Sequence, residues 1–269
     1  MIGNLGPTFV LAFLFICFLI LLVALGAFSK YSERVRVWVE TIRRKVFWNT
    51  PLRFIFEVYL EVAVASFVKL QFLAEYGINL SNVSDMIDFV TFLACFAIAF
   101  TTPLFLAIFV YLKRERFNEE RYREKYDSIY EGIDLESKHA VYYMLVFTAR
   151  RLFYAFVIVF LPNKPSLQIQ LALFMPILVI IFLGVTETYG RKSFKQRHEL
   201  ANEVCVLFMS YFLPLFTDFV PEPLTRHQIG WGWIFSITLM LVLNMIVVLV
   251  IARLELKKYC RDRKRKNRI

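Results

Sequence analysis

Long apolar stretches alternate with charged segments along the whole chain. A helix needs about 20 apolar residues to cross the hydrocarbon core of a membrane, and several stretches reach or approach that length. They lie at residues 8–28, 52–74, 87–112, 140–161, 166–188, 201–217 and 229–252. The pattern therefore predicts an all-α polytopic membrane protein with seven transmembrane helices. The sixth stretch is the shortest, because Pro214 interrupts it and Asp218 ends it.

The basic residues predict which side of the membrane each segment faces. Of the 32 Lys and Arg residues, 27 lie in four segments, at 29–53, 113–138, 189–200 and 253–269. The loops on the opposite side contain only Lys164 and Arg226. Since basic residues are enriched in cytoplasmic segments, this asymmetry predicts an external amino terminus and a cytoplasmic carboxy terminus.

The amino-terminal stretch leaves two interpretations open. Residues 8–28 lack a basic segment in front of them and are followed by Lys30, which favours a true membrane span over a cleaved signal peptide. The span then either inserts as a signal anchor or belongs to the membrane portion of a longer protein.

Composition supports a membrane protein and argues against other classes. Hydrophobic residues make up 58% of the chain, 29 residues are Phe, and the mean hydropathy is +0.56. A soluble or disordered chain does not accommodate so much apolar surface. The net charge is +10, and its concentration in the predicted cytoplasmic segments indicates the anionic inner leaflet as the partner, with no nucleic acid.

The domain organisation follows from these segments. It comprises a first accessory transmembrane helix (1–28), a basic amphipathic cytoplasmic segment (29–51), a four-helix membrane bundle (52–188) with a charged cytoplasmic loop (113–138), a linker helix (189–200), a pore-like pair of helices (201–252) and a basic cytoplasmic tail (253–269).

Four of the ionisable residues inside the predicted spans form a candidate charge cluster. Glu57 and Glu61 are one turn apart in the second span, and the adjacent Arg150 and Arg151 occupy a similar depth in the fourth. Because charged side chains are expensive in hydrocarbon, we expect spans two and four to be neighbours with a carboxylate–guanidinium contact that involves Glu61. The cluster is either a structural ion pair or the lining of a water-filled crevice.

Other candidate sites are weaker. Asp218 and Glu222 place acidic charge in the external turn before the last span, and Asn244 lies within that span, where it either bonds a neighbouring helix or lines a path. Asn79 and Asn82 are candidate glycosylation sites, and Cys260 is a candidate lipidation site. No motif indicates catalysis, a metal or a cofactor, so we expect a protein that is not an enzyme.

Several blocks of the sequence resemble a known type of membrane region. They are FWNTPLRFIFEVYLEV (47–62), KYDSIYEGI (125–133), ARRLFYAFVIVFL (149–161) and NEVCVLFMSYFLPLFTDFVPEPLTRHQIGWGW (202–233). Together they resemble the carboxy-terminal, TRP-like multi-span region of large surface proteins of ciliates and other protists, which are mostly uncharacterised. The resemblance implies that spans two to seven correspond to the six helices of a TRP-type subunit and that an ectodomain precedes them.

Three function classes remain from the sequence. The first is a TRP-like cation channel or a related sensor domain, which would form a homo-tetramer. The second is a non-conducting anchor or a subunit of a larger membrane complex. The third, a seven-helix receptor or a transporter, is less favoured because the usual receptor triplets and inverted repeats are missing. All three classes predict an integral membrane protein, and the resemblance favours the plasma or ciliary membrane.

Overall fold

The computed structural model describes residues 33–78, 80–113, 133, 139–190 and 193–266, without the side chains of 33–49, 113 and 254–266. Its helices are α1 (Glu33–Tyr76), α2 (Val83–Lys113), α3 (Tyr143–Phe160), α4 (Pro165–Thr186), α5 (Phe194–Ser210) and α6 (Pro223–Lys266). A 3₁₀ turn, Ala140–Tyr142, leads into α3, and another, Leu213–Phe216, follows α5. The described residues contain no β-strand, which confirms the all-α class.

Five helical segments are long and apolar enough to cross a membrane. They are Val83–Leu112, Ala140–Phe160, Pro165–Thr186, Phe194–Phe216 and Pro223–Arg253. They correspond to the last five of the predicted stretches. The stretch 52–74 is part of α1, which contains several charged residues, and 8–28 lies outside the described residues. Seven spans and their orientation stay predictions.

Three helices are longer than the sequence pattern predicts, and one of them, α6, continues past the predicted span 229–252 into the basic tail. Helix α1 runs through Pro51, so the predicted segments 29–51 and 52–74 form one continuous helix. Helix α5 begins at Phe194 and joins part of the predicted linker, 189–200, to the sixth span. An internal proline removes only one backbone hydrogen bond, and Pro103 and Pro176 are likewise accommodated inside α2 and α4.

The chain divides into two compact units at Leu200 and Ala201. In the first unit α1 packs most extensively against α3 and then against α2. One cluster of buried side chains joins Phe56, Leu106 and Val110, and another joins Ala63, Phe67, Ala99, Ala155 and Val159. The small alanines let the helices approach closely, so the larger rings fill the remaining space.

The second unit comprises the rest of α5, the 3₁₀ turn and α6. The ring of Phe216 in that turn packs edge-on against Trp233 of α6, with 5.9 Å between ring centroids. Gly230 faces the same ring, and a side-chain carbon at this position would lie 3.8 Å from it. In contrast, no residue is buried in the most apolar window of α6.

Candidate functional sites

Arg151 connects α3 to α1 inside the first unit. Its Nη1 donates a hydrogen bond to the backbone carbonyl of Phe56, and its guanidinium lies 4.1 Å from the ring centroid of Phe147 on its own helix. A backbone carbonyl has two lone pairs, so the Phe56 oxygen can accept this bond beside its helical one. The expectation that predicted spans two and four are neighbours is confirmed.

The two carboxylates of the predicted second span lie on a different face of α1. Glu57 and Glu61 are exposed, whereas Phe56, Tyr59 and Ala63 are buried between the helices. The helical repeat explains this separation, because neighbouring residues point about 100° apart around the axis. The structure therefore brings Arg151 against the backbone of α1, and a contact of Glu61 with either arginine stays a prediction.

Contacts between helices show the level of these carboxylates along the bundle. The Tyr59 hydroxyl donates a 2.6 Å hydrogen bond to the carbonyl of Ala99, which lies near the middle of the candidate span Val83–Leu112. Arg151, which bonds Phe56, lies near the middle of the candidate span Ala140–Phe160. Since Glu57 and Glu61 flank Tyr59 along α1, both carboxylates belong to the central part of the bundle.

An ion pair lies near the end of α1 and the start of α2. The Lys69 Nζ atom lies 2.8 Å from Oδ2 of Asp88, and both side chains are about one-fifth exposed. Asp88 is in the second turn of α2, and Lys69 is in the last two turns of α1. The pair therefore joins α1 to α2 close to the turn that connects them.

The most elaborate polar arrangement was not predicted from the sequence. It occupies the turn between α4 and α5, which we call the Gln196 turn (residues 183–190 and 193–196). The Gln196 side chain accepts a 3.0 Å hydrogen bond from the Tyr189 backbone N–H and donates to the Leu183 carbonyl. The hydroxyls of Thr186 and Thr188 are 2.7 Å apart, and both residues are buried.

Local backbone geometry and ring contacts complete the Gln196 turn. Glu187 and Gly190 adopt positive φ angles of 46° and 84°, which reverse the chain after α4. The Tyr189 ring lies 5.4 Å from that of Tyr143 and 4.5 Å from Lys195 Nζ. Burial raises the pKa of the Tyr189 hydroxyl, and the neighbouring Tyr143 raises it further. In the sequence, Gly190 in TETYGRKS indicates a turn. Nothing in that segment indicates that the side-chain amide of Gln196 is buried.

The residues of the predicted pore mouth have local partners in the second unit. Glu222 precedes α6, and its Oε2 accepts a 2.8 Å hydrogen bond from the Thr225 hydroxyl, as expected for a carboxylate at a helix amino terminus. Asp218 is exposed in the turn before it. Asn244 donates a 3.0 Å hydrogen bond to the Met240 carbonyl one turn earlier. These contacts stabilise α6 and leave the predicted roles of these residues untested.

The modification sites are only partly described. Asn82 is exposed just before α2, where its backbone carbonyl accepts from the amides of Asp85 and Met86. Asn79 and the side chain of Cys260 lie outside the described residues. Among the residues that the structure describes, no group of three His, Cys, Asp or Glu residues is arranged to hold a metal ion.

Comparison of the chain with protein-family models, curated proteins and solved structures finds no match. A functional interpretation of this protein therefore depends on its helices, its charges and its polar contacts.

Proposed function

We propose that the protein is a non-enzymatic membrane subunit of channel type, either a TRP-like cation channel subunit or a related sensor domain. The division of the chain at Leu200 and Ala201 carries this proposal. A packed group of helices, α1 to α4, precedes a separate unit that contains most of α5 and all of α6. This order is the one that the resemblance to TRP-type subunits implies, with a sensor bundle before a pore pair.

The exposed apolar surface of α6 supports assembly from several copies. A channel pore formed by helix pairs needs other copies to surround it, and a single chain then leaves its pore helix uncovered. The most apolar part of α6 contains no buried residue, as such a subunit requires. In this proposal Asp218 and Glu222 concentrate cations at the external mouth, and Asn244 faces the lumen.

Conduction is tested with the full chain in planar bilayers. Asp218→Asn is expected to reduce cation current, whereas Glu131→Gln, in the predicted cytoplasmic loop, serves as a matched loss of one carboxylate and should leave the current unchanged. A fourfold particle with α6 around its axis would agree with the proposal. An isolated single copy whose α6 is covered by unrelated helices would contradict it.

One observation favours a second function, that of a non-conducting anchor or complex subunit. Only Tyr211–Glu222 separates α5 from α6, and this connection holds a short 3₁₀ turn, Leu213–Phe216. It offers little room for a pore helix and a selectivity filter. Native mass measurement of the purified assembly distinguishes the two functions, because an anchor is expected as one copy among other chains.

A further inference from the structure

One face of α1 presents carboxylates away from the helices of the first unit. We call it the acidic face, and its residues recur at helical spacing and are all exposed: Glu57, Leu60, Glu61, Val68 and Phe72. The opposite face of the same helix contains Tyr59, Ala63 and Ser66, which are fully buried. The described helices of the first unit therefore leave this side of α1 exposed except at Val64, which packs against the core cluster.

The depth of this face makes its charge unusual. Glu57 follows Phe56, whose carbonyl binds the central Arg151, and it precedes Tyr59, whose hydroxyl reaches the central Ala99. The Lys69–Asp88 pair lies about three turns farther along α1, near the loop to α2. In a bundle that crosses the membrane, this position places Glu57 at the depth of the hydrocarbon layer, where an ionised side chain costs about 2.5–3.5 kcal/mol on insertion scales.

The chain offers few cations of its own at this depth. Its predicted membrane stretches other than 52–74 and 140–161 contain no Lys or Arg, and this includes the undescribed stretch 8–28. Of the four cations within those two stretches, Lys69 binds Asp88 and Arg151 binds the Phe56 carbonyl. Arg53, which is exposed one turn before Glu57, and Arg150 also take part in interactions. No hydrogen bond or ion pair of the Glu57 carboxylate is found within the described part of the chain.

Charge complementarity identifies what would cover this face. A helix that carries one Arg or Lys in mid-membrane has the same energetic difficulty as Glu57, with the opposite sign. When the two meet, each charge gains a partner, and the apolar Leu60, Val68 and Phe72 supply packing surface around them. We propose that the acidic face of α1 docks a transmembrane helix of another membrane protein, which carries an Arg or Lys side chain at mid-membrane depth.

The experiment measures helix association in phosphatidylcholine vesicles that contain the full chain. The probe is a synthetic polyleucine helix with one central Arg, and its control is the same helix with Leu at that position. Energy transfer between labels on the chain and on the probe reports binding. We expect the Arg helix to bind about tenfold more tightly than the Leu helix, as 1–2 kcal/mol of interhelical hydrogen bonding implies.

Variants of the chain localise the effect. Glu57→Gln should abolish the preference for the Arg helix, and Glu75→Gln should preserve it, because Glu75 is an exposed carboxylate near the end of the same helix. Circular dichroism confirms that each variant retains its helices. The main comparison is between the Arg and Leu helices, each binding to the unmodified chain. It tests the inference even if the Glu57→Gln protein folds poorly.

Equal binding of the Arg and Leu helices to the unmodified chain would overturn the inference. A Glu57→Gln variant that still prefers the Arg helix would also overturn it. The same holds if Glu57→Gln changes cation leak across the vesicle membrane without changing helix binding. The last outcome would indicate a water-filled path along Glu57. The inference does not depend on conduction, so a protein without current can still bind the Arg helix, and a conducting protein can fail to bind it.

Discussion

The two compact units bury their apolar side chains to very different extents. In the first, aromatic rings and small residues meet between α1, α2 and α3, and hydrogen bonds from Tyr59 and Arg151 cross from one helix to another. In the second, Trp231 and Phe235 of α6 are 64% and 69% exposed. Lipid is as apolar as these side chains, so their exposure in a membrane is not costly. The difference teaches that the first unit specifies its own packing, whereas α6 has to be positioned by what surrounds it.

The largest effect is expected from a buried ring of the first unit. Phe67 is 4% exposed, and its ring contacts those of Phe100, Phe156 and Phe160 edge-on. Phe67→Ala should lower the free energy of unfolding by about 3 kcal/mol, because it leaves a cavity. The matched change in the second unit, Phe235→Ala, should cost less than about 0.5 kcal/mol. Unfolding in mixed micelles, followed by circular dichroism, measures both; equal losses would contradict the comparison.

The Gln196 turn should give the next largest effect. Gln196→Leu leaves the buried Tyr189 amide and the Leu183 carbonyl without the side chain that binds them, at a cost of about 2 kcal/mol in unfolding free energy. Gln170→Leu is the control, since Gln170 is exposed on α4. The same unfolding measurement compares the two variants. A Gln196→Leu protein as stable as the control would show that water satisfies these backbone groups.

The Lys69–Asp88 pair should contribute less. Removing either charge is expected to cost about 1 kcal/mol, because the pair is only partly shielded from solvent. A double-mutant cycle with Lys69→Met and Asp88→Asn isolates the interaction free energy, and exchange of the two charges should recover part of it. An interaction free energy of zero at low salt would indicate that this pair does not stabilise the contact between α1 and α2.

The smallest effect concerns alkaline pH. The pKa of Tyr189 is raised in the folded protein, so the unfolded chain loses this proton first as pH rises. Its contribution to stability is fully present below the ordinary tyrosine pKa of about 10 and declines above it. Tyr189→Phe should therefore flatten the fall in unfolding free energy above that pH. Tyr211→Phe, at an exposed position, should leave the pH profile unchanged.

Hydropathy predicted part of this structure well. The five apolar helices from Val83 to Arg253 follow the sequence pattern closely, because a span must hide its backbone polar groups within one helix. Helix ends were less predictable. A boundary was predicted between residues 51 and 52, yet α1 continues through it to Tyr76. A linker at 189–200 was predicted separately from the sixth span, yet α5 joins part of it to that span.

The candidate sites were harder to predict than the helices. Spacing correctly placed Glu57 and Glu61 on one side of α1, and depth correctly made the second and fourth spans neighbours. The sequence pattern did not indicate that Arg151 would bind a backbone carbonyl, since every residue supplies one. It also did not indicate that the buried Gln196 side chain would bind two backbone groups. The sequence around a glutamine in a basic segment is the same whether its side chain is buried or solvated.

Helix α6 has a mechanical consequence for the basic tail. Its 44 residues span about 66 Å at 1.5 Å per residue, roughly twice the 30 Å thickness of the hydrocarbon core. The tail up to Lys266 continues the same helix, so its angular position is set by the rotation of the membrane-embedded part. One residue inserted after Arg253 would rotate the rest of the helix by about 100° around its axis without altering its charge.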